Sequence, residues 1–332
     1  PAAASGGAAV TAAPAAEAAM AAAPAVGLAA AKGGNGNGNG GGNGGGNGGG
    51  NTSSLQGDPI VYVSNTDATG TDPYNIQLEF YGDLWTNDLL DVFVASAELI
   101  SSLIDEGLPS QNYYGPYDAP WYQQELRTAD DLVIEAYLTD IDGVGGVLGQ
   151  AGPYAVRSSD GVTIDGLPAA GLMEFDVSDA DDLLAEGLWD DTVFHEMMHV
   201  MGIGTYWGLA DGPYSGLVGD TVVQFDGQGT STTSDDLFGY EYFGSGANAY
   251  YSDYATVPVE TDGGSGTAGG HWDEEALGNE IMTGYIDQTN YLGDLSVAAL
   301  YDLGYAPVEN WQSLVDPYSS SIDLSSGETL IA

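Results

Sequence analysis

The chain has no cysteine in its 332 residues, so disulfides cannot hold its fold together. Positive charge is almost as scarce. Lys32, Arg127 and Arg157 are its only lysine and arginines, against 49 acidic residues, and the formal net charge is −46. Phosphate binding needs clustered Lys and Arg, so no nucleic-acid partner is expected. An anionic membrane surface would repel such a chain. Long apolar runs are missing too. No stretch reaches the ~18 residues that a membrane span requires, so none is expected. The Ala-rich run at 18–31 is broken by Pro24 and Gly27 and lacks a basic segment before it, so it reads as a poor signal peptide.

Histidine is equally sparse, and here the scarcity is informative. Two of the three histidines fall in "TVFHEMMHVMGIG", residues 192–204, with one glutamate between them. Random placement would give an H-E-x-x-H string about 0.001 times per chain, so the string is not noise. The neighbours Val193, Phe194, Met197, Met198, Val200 and Met201 are apolar nearly all round, which predicts a buried helix. Buried polar groups need partners. A spacing of four puts His195 and His199 on one helical face, where two imidazoles can share one zinc ion. Glu196, beside the first ligand, can serve as general base toward a water there. Asp190 or Asp191 is the expected N-cap and Gly202 the expected stop.

A catalytic zinc usually takes three protein ligands. The compact spacing, with a third histidine ten residues after the first, meets Thr205 instead. No glutamate occurs between Glu196 and Glu241. The remaining histidine is His271, in "GGHWDEEALGNEIMTGY", residues 269–285, and it is the expected third ligand.

HEMMHVMGIG, then a long insertion, then HW and NEIMTG, together resemble the leishmanolysin-type metzincins. The segments "YNIQLEFYG", "DIDGVGGVLGQAGP", "GLMEFDV" and "LSVAALYDLGY" are similar to stretches of bacterial members, so the resemblance covers roughly residues 58–310. It implies a zinc metalloendopeptidase acting on proteins or peptides as a monomer, with His195, His199 and His271 as ligands and Glu196 as base. It further implies that Met282, in "IMT", is the Met-turn residue beneath the metal. Some relatives carry cysteines; without one, inhibition by a thiolate on the zinc is impossible here.

Three regions are expected. Residues 1–57, Ala/Pro-rich and then Gly/Asn-rich, read as a disordered arm. Residues 58–310 form the peptidase domain, and 311–332 a C-terminal tail. "NIQLEFYG", 132–138 and 172–177 read as strands, 86–106 as a helix stopping at Gly107, and 296–303 as a short helix ending at Gly304. The fold class is α+β: a twisted mixed sheet, a backing helix, the zinc helix, and a loop-rich C-terminal subdomain. Residues 205–270 read as a loop-rich insertion beside the cleft. Substrate is expected along a sheet edge near 147–153. Trp272 reads as a packing residue rather than a substrate contact, and Tyr285 serves either core or pocket.

Aspartate exceeds glutamate, 33 to 16. In "TDIDGVGG", 139–146, Asp140 and Asp142 are candidate calcium ligands, and ordinary turn residues are the competing reading. Against the enzyme stands one alternative from another class, a surface or adhesive protein keeping zinc only as a structural element. Glu196 argues against it, since a structural zinc has no use for a base. The charge fits either a high-salt habitat or type I secretion with folding outside the cell on calcium. Scarce Arg favours secretion; the absence of calcium-binding Gly-Gly repeats counts against it.

Overall fold

In this computed structural model the described residues are 58–66, 72–117, 119, 123–158, 166–206, 240–251, 256–261, 267–315 and 318, with the backbone of 21–22 and 223–224. In chain order the strands and helices are β1 (Ala21–Ala22), β2 (Ile60–Val63), β3 (Ile76–Tyr81), α1 (Asn87–Ser102), β4 (Gln111–Gly115), β5 (Glu125–Ala129), β6 (Leu132–Thr139), β7 (Gly149–Val156) and β8 (Pro168–Asp176). They continue with α2 (Ala180–Glu186), α3 (Trp189–Val200), β9 (Val223–Gln224), β10 (Tyr240–Tyr242), α4 (Ser245–Tyr251), β11 (Val257–Val259), α5 (Glu274–Leu277), α6 (Asp294–Leu303) and α7 (Gln312–Val315).

The main sheet has the order β1-β7-β8-β6-β3-β2. β3, β6 and β8 run parallel, while β7 is antiparallel to β8 and β2 to β3. This is the twisted mixed sheet of an α+β domain. Alternation along the parallel strands sends Ile76, Leu78 and Phe80, Ile134 and Ala136, and Met173 and Phe175 into the core. α1 and α3 cover that face. Their seam is a chain of edge-to-face rings, Phe80–Phe93, Phe93–Phe175 and Phe175–Trp189, with centroids 5.1, 5.5 and 4.8 Å apart. The opposite face carries Glu79, Tyr81, Glu135 and Tyr137, and the β4–β5 hairpin lies over it through Tyr113 and Arg127.

Thr86 caps α1, its hydroxyl accepting from the Leu89 N–H, and the helix ends at Ser102 rather than reaching Gly107. α3 begins two or three residues earlier than its acidic residues suggested. Leu188 is its N-cap, and Asp190 and Asp191 lie within its first turn, where the helix dipole still favours negative charge. Its end is as expected: Met201 closes it and Gly202 follows at φ 111°. Of the expected flexible arm, only Ala21–Ala22 are described, paired in parallel with Gln150 and Ala151 at the edge of β7 away from β8. The expected insertion at 205–270 lies largely outside the described residues, as does most of the tail after 315.

Candidate metal centre

α3 is buried along its whole length, so neither of its histidines reaches solvent. The chain turns back after it. At Gly204 a Cβ would fall 1.9 Å from the carbonyl of Gly270, so only glycine lets the end of the helix region pack against the segment carrying His271. That approach brings all three histidines together. Their Nε2 atoms lie 2.9 Å apart for His195–His199, 3.0 Å for His199–His271 and 3.1 Å for His195–His271. Each Nδ1 faces a backbone carbonyl: His195 that of Ile281 at 2.6 Å, His199 that of Ile203 at 2.8 Å, and His271 that of Thr267 at 2.9 Å.

This pattern decides the donor set. A ring that donates its Nδ1–H to a carbonyl presents a bare lone pair at Nε2. Burial pushes all three rings toward the neutral form, His199 to about 3, His271 to about 4 and His195 well below its ordinary value. Three lone pairs then converge with no proton between them, which is repulsive unless a cation receives them. The spacings are close to the roughly 3.3 Å between donors on one face of a tetrahedral site with 2.0–2.1 Å bonds. Among the described residues these three form the one cluster of metal-binding side chains with converging donor atoms.

Glu196 is fully buried, and neither of its carboxylate oxygens has a hydrogen-bond partner among the described residues. Burial raises its pKa well above the ordinary range. The carboxylate lies against the first residue of the edge strand. A Cβ on Gly149 would come within 3.1 Å of Glu196 Oε1 and 3.0 Å of the Phe175 ring. The edge expected at 147–153 therefore falls at the start of β7, beside this carboxylate.

Met282 is fully buried, next to Ile281, whose carbonyl holds His195. Trp272 is a packing residue, its ring edge-on to Tyr242 at 5.1 Å and its Nε1 donating to Ser296 Oγ at 2.8 Å. Tyr285 is half-buried.

The calcium candidates are not brought together. Asp140 is exposed, and the exposed Asp142 accepts from the Val147 N–H of its own loop at 3.2 Å. Asp176 organises that loop instead, one oxygen accepting from the N–H groups of Ile141, Asp142 and Gly143. The carboxylates of Asp142 and Asp176 are turned to backbone donors, as in turn residues, and the geometry gives the calcium reading no support.

Three residues of consequence carry no signal of their own in the sequence: Gly149 against the glutamate, Asp176 in the loop, and Glu280, whose buried carboxylate accepts from Met282 N.

A buried three-histidine donor set of this kind, with a buried carboxylate next to it in the helix, could hold a metal ion. The sequence model of the leishmanolysin family matches residues 149–320, more than half of the chain, and the chain belongs to the leishmanolysin family of zinc metallopeptidases. No curated protein matches it. Among the described residues no helix is long and apolar enough to cross a membrane.

Proposed function

We propose that this chain is a zinc-dependent endopeptidase in which His195, His199 and His271 hold the metal and Glu196 is the general base. One observation carries the reading: the Glu196 carboxylate is buried beside the histidine cluster with no partner among the described residues. Such a group is costly unless a ligand or substrate atom meets it. Zinc in the cluster would supply Lewis acidity, acidifying water and polarising a peptide carbonyl.

The remaining work falls to the chain's own residues. A Glu196 Oε atom takes the proton from the attacking water and delivers it to the leaving amine. The carbonyls of Ile281, Ile203 and Thr267 fix the imidazoles in the tautomer that leaves Nε2 free. β7 offers an extended substrate its edge away from β8, and the pairing of Ala21–Ala22 with Gln150 and Ala151 there supports its capacity to take a strand. Met282 belongs to the buried floor next to Ile281. Residues 58–310 form the catalytic domain.

We read the chain as acting outside the cell, in keeping with its acidic composition and scarce arginine; fractionation of producing cells tests this. The adhesive alternative would make the zinc structural. Structural zinc sites are almost always closed by four protein ligands. The three converging histidines and the unpartnered base favour the enzyme. A mixed peptide library read by mass spectrometry, with and without a zinc chelator, tests the function. Chelator-sensitive internal cleavage supports it. Trimming from the ends alone rejects the endopeptidase, and intact peptides favour the adhesive reading.

A further inference from the structure

Glu280 has a carboxylate that is fully buried, and no cation accompanies it among its hydrogen bonds. Its Oε2 accepts from the Met282 N–H at 2.7 Å. Its Oε1 accepts from the Gly293 N–H at 2.9 Å and from the Ser296 hydroxyl at 2.6 Å. An uncompensated buried carboxylate is expensive. The pattern of its contacts gives a reason for the charge.

The Met282 N–H and the Ile281 carbonyl belong to one planar peptide unit. Glu280 holds the N–H end of that unit. The carbonyl end receives His195 Nδ1. A carboxyl oxygen accepting from the N–H polarises the unit and makes its carbonyl a stronger acceptor. The carboxylate also reaches the segment of the third histidine. Trp272 Nε1 donates to Ser296 Oγ at 2.8 Å, and the Ser296 hydroxyl donates in turn to Glu280 Oε1. The Trp272 main-chain N–H is held in turn by the Met282 carbonyl at 2.9 Å. One side chain thus ties the Ile281–Met282 peptide, the N-terminus of α6 and the residue after His271 into a single frame.

We propose that Glu280 is a positioning residue for the metal centre, orienting His195 through the Ile281–Met282 peptide and steadying the His271 segment through Ser296 and Trp272. This rests on reading the histidine cluster as the zinc site. The competing role is simple: the carboxylate caps α6 and contributes only to folding.

Zinc affinity separates the two. Glu280→Gln and Ser296→Ala are purified, and zinc dissociation constants are measured by competition with a chromophoric chelator, at a temperature where the apoproteins are folded. In Glu280→Gln the new amide sets a donor against at least one N–H that the carboxylate satisfied. The expected result is zinc binding weakened about 10–100-fold, the usual scale for an outer partner of a ligand. Ser296→Ala cuts only the Trp272 branch and should weaken binding less, in the same direction. Unchanged zinc affinity in Glu280→Gln overturns the proposal, whatever happens to the apoprotein melting temperature. If Glu280→Gln does not fold, Ser296→Ala decides alone, and wild-type affinity in it overturns the proposal. His199→Ala and the wild type check the underlying reading: a wild type that binds no zinc, or a His199→Ala variant that binds it as tightly, rejects the zinc site itself.

Discussion

Arg127→Ala removes the cation that faces two buried glutamates behind the sheet. Its side chain is 26% exposed, while those of Glu79 and Glu135 are 1% and 0% exposed. The guanidinium donates from both terminal nitrogens to Glu79, at 2.7 Å from Nη1 to Oε2, and Nη1 also approaches Glu135 Oε1 at 3.5 Å. It lies 5.5 Å from the centre of the Tyr113 ring as well. Breaking a buried ion pair typically costs about 3–5 kcal/mol. Water reaching the exposed quarter of Arg127 lowers the expectation to about 2–4 kcal/mol. For a domain of this size that is a fall of roughly 5–15 °C in melting temperature. Burial raises the pKa of Glu79, but hydrogen bonds from Arg127 and Tyr81 more than offset it and leave the pKa lowered. Glu135 is raised, chiefly by burial. Glu79 therefore stabilises the wild type at neutral pH and loses that contribution as pH falls through its folded pKa, whereas Glu135 opposes folding as pH rises through its own. Without Arg127 both behave like Glu135, so the deficit should be largest near pH 7.5 and shrink toward pH 5. Thermal melts at the two pH values measure it, and adding Glu79→Gln and Glu135→Gln should recover much of the loss. A variant melting within about 2 °C of wild type at pH 7.5, or a deficit indifferent to pH, would refute the reasoning.

Gly149→Val should lower kcat/KM about 10–100-fold with zinc retained, because its side chain pushes on Glu196 and displaces the base; metal analysis beside a peptide assay checks both halves. Asp176→Ala strips the acceptor from the N–H groups of Ile141, Asp142, Gly143 and Ser178 and should cost about 2–4 kcal/mol in denaturant unfolding. Calcium at millimolar level should not raise the wild-type melting temperature beyond NaCl of matched ionic strength. Deleting residues 1–57 should shift the melting temperature by no more than about 3 °C and lower KM for extended peptides, since Gln150 and Ala151 lose their pairing with Ala21–Ala22.

Side chains with one dominant chemistry are legible in the amino-acid sequence alone. The two histidines four apart and the single one left over meet at one point, and strands β3 and β6 fall where their apolar patterns put them. What stays hidden belongs to the backbone or to context. The carbonyls of Ile281, Ile203 and Thr267 orient the imidazoles, and no residue letter marks a carbonyl as special. β7 reads "GQAGPYAV", with glycine and proline that suit an edge but mute the strand signal. Gly149 matters for what it lacks, and only the approach of Glu196 shows it. Asp140 and Asp142 carry the right chemistry for calcium, but the neighbouring N–H groups claim the loop's carboxylates. In a chain with two arginines both serve the fold: Arg127 pairs with Glu79, and Arg157 donates to the carbonyls of Pro109 and Asp130 at 2.9 and 2.8 Å.

The central claim is that Glu196 moves the proton and the three histidines hold the zinc, and Glu196→Gln tests it most directly. The variant keeps the size of the side chain and removes the base. Metal analysis and cleavage of a fluorogenic peptide are measured on the same purified sample. The account predicts about one zinc per chain, as in the wild type, with kcat reduced about 10²–10⁴-fold, the contribution typical of general acid–base catalysis. A zinc-loaded Glu196→Gln enzyme that cuts the peptide at the wild-type rate would contradict it.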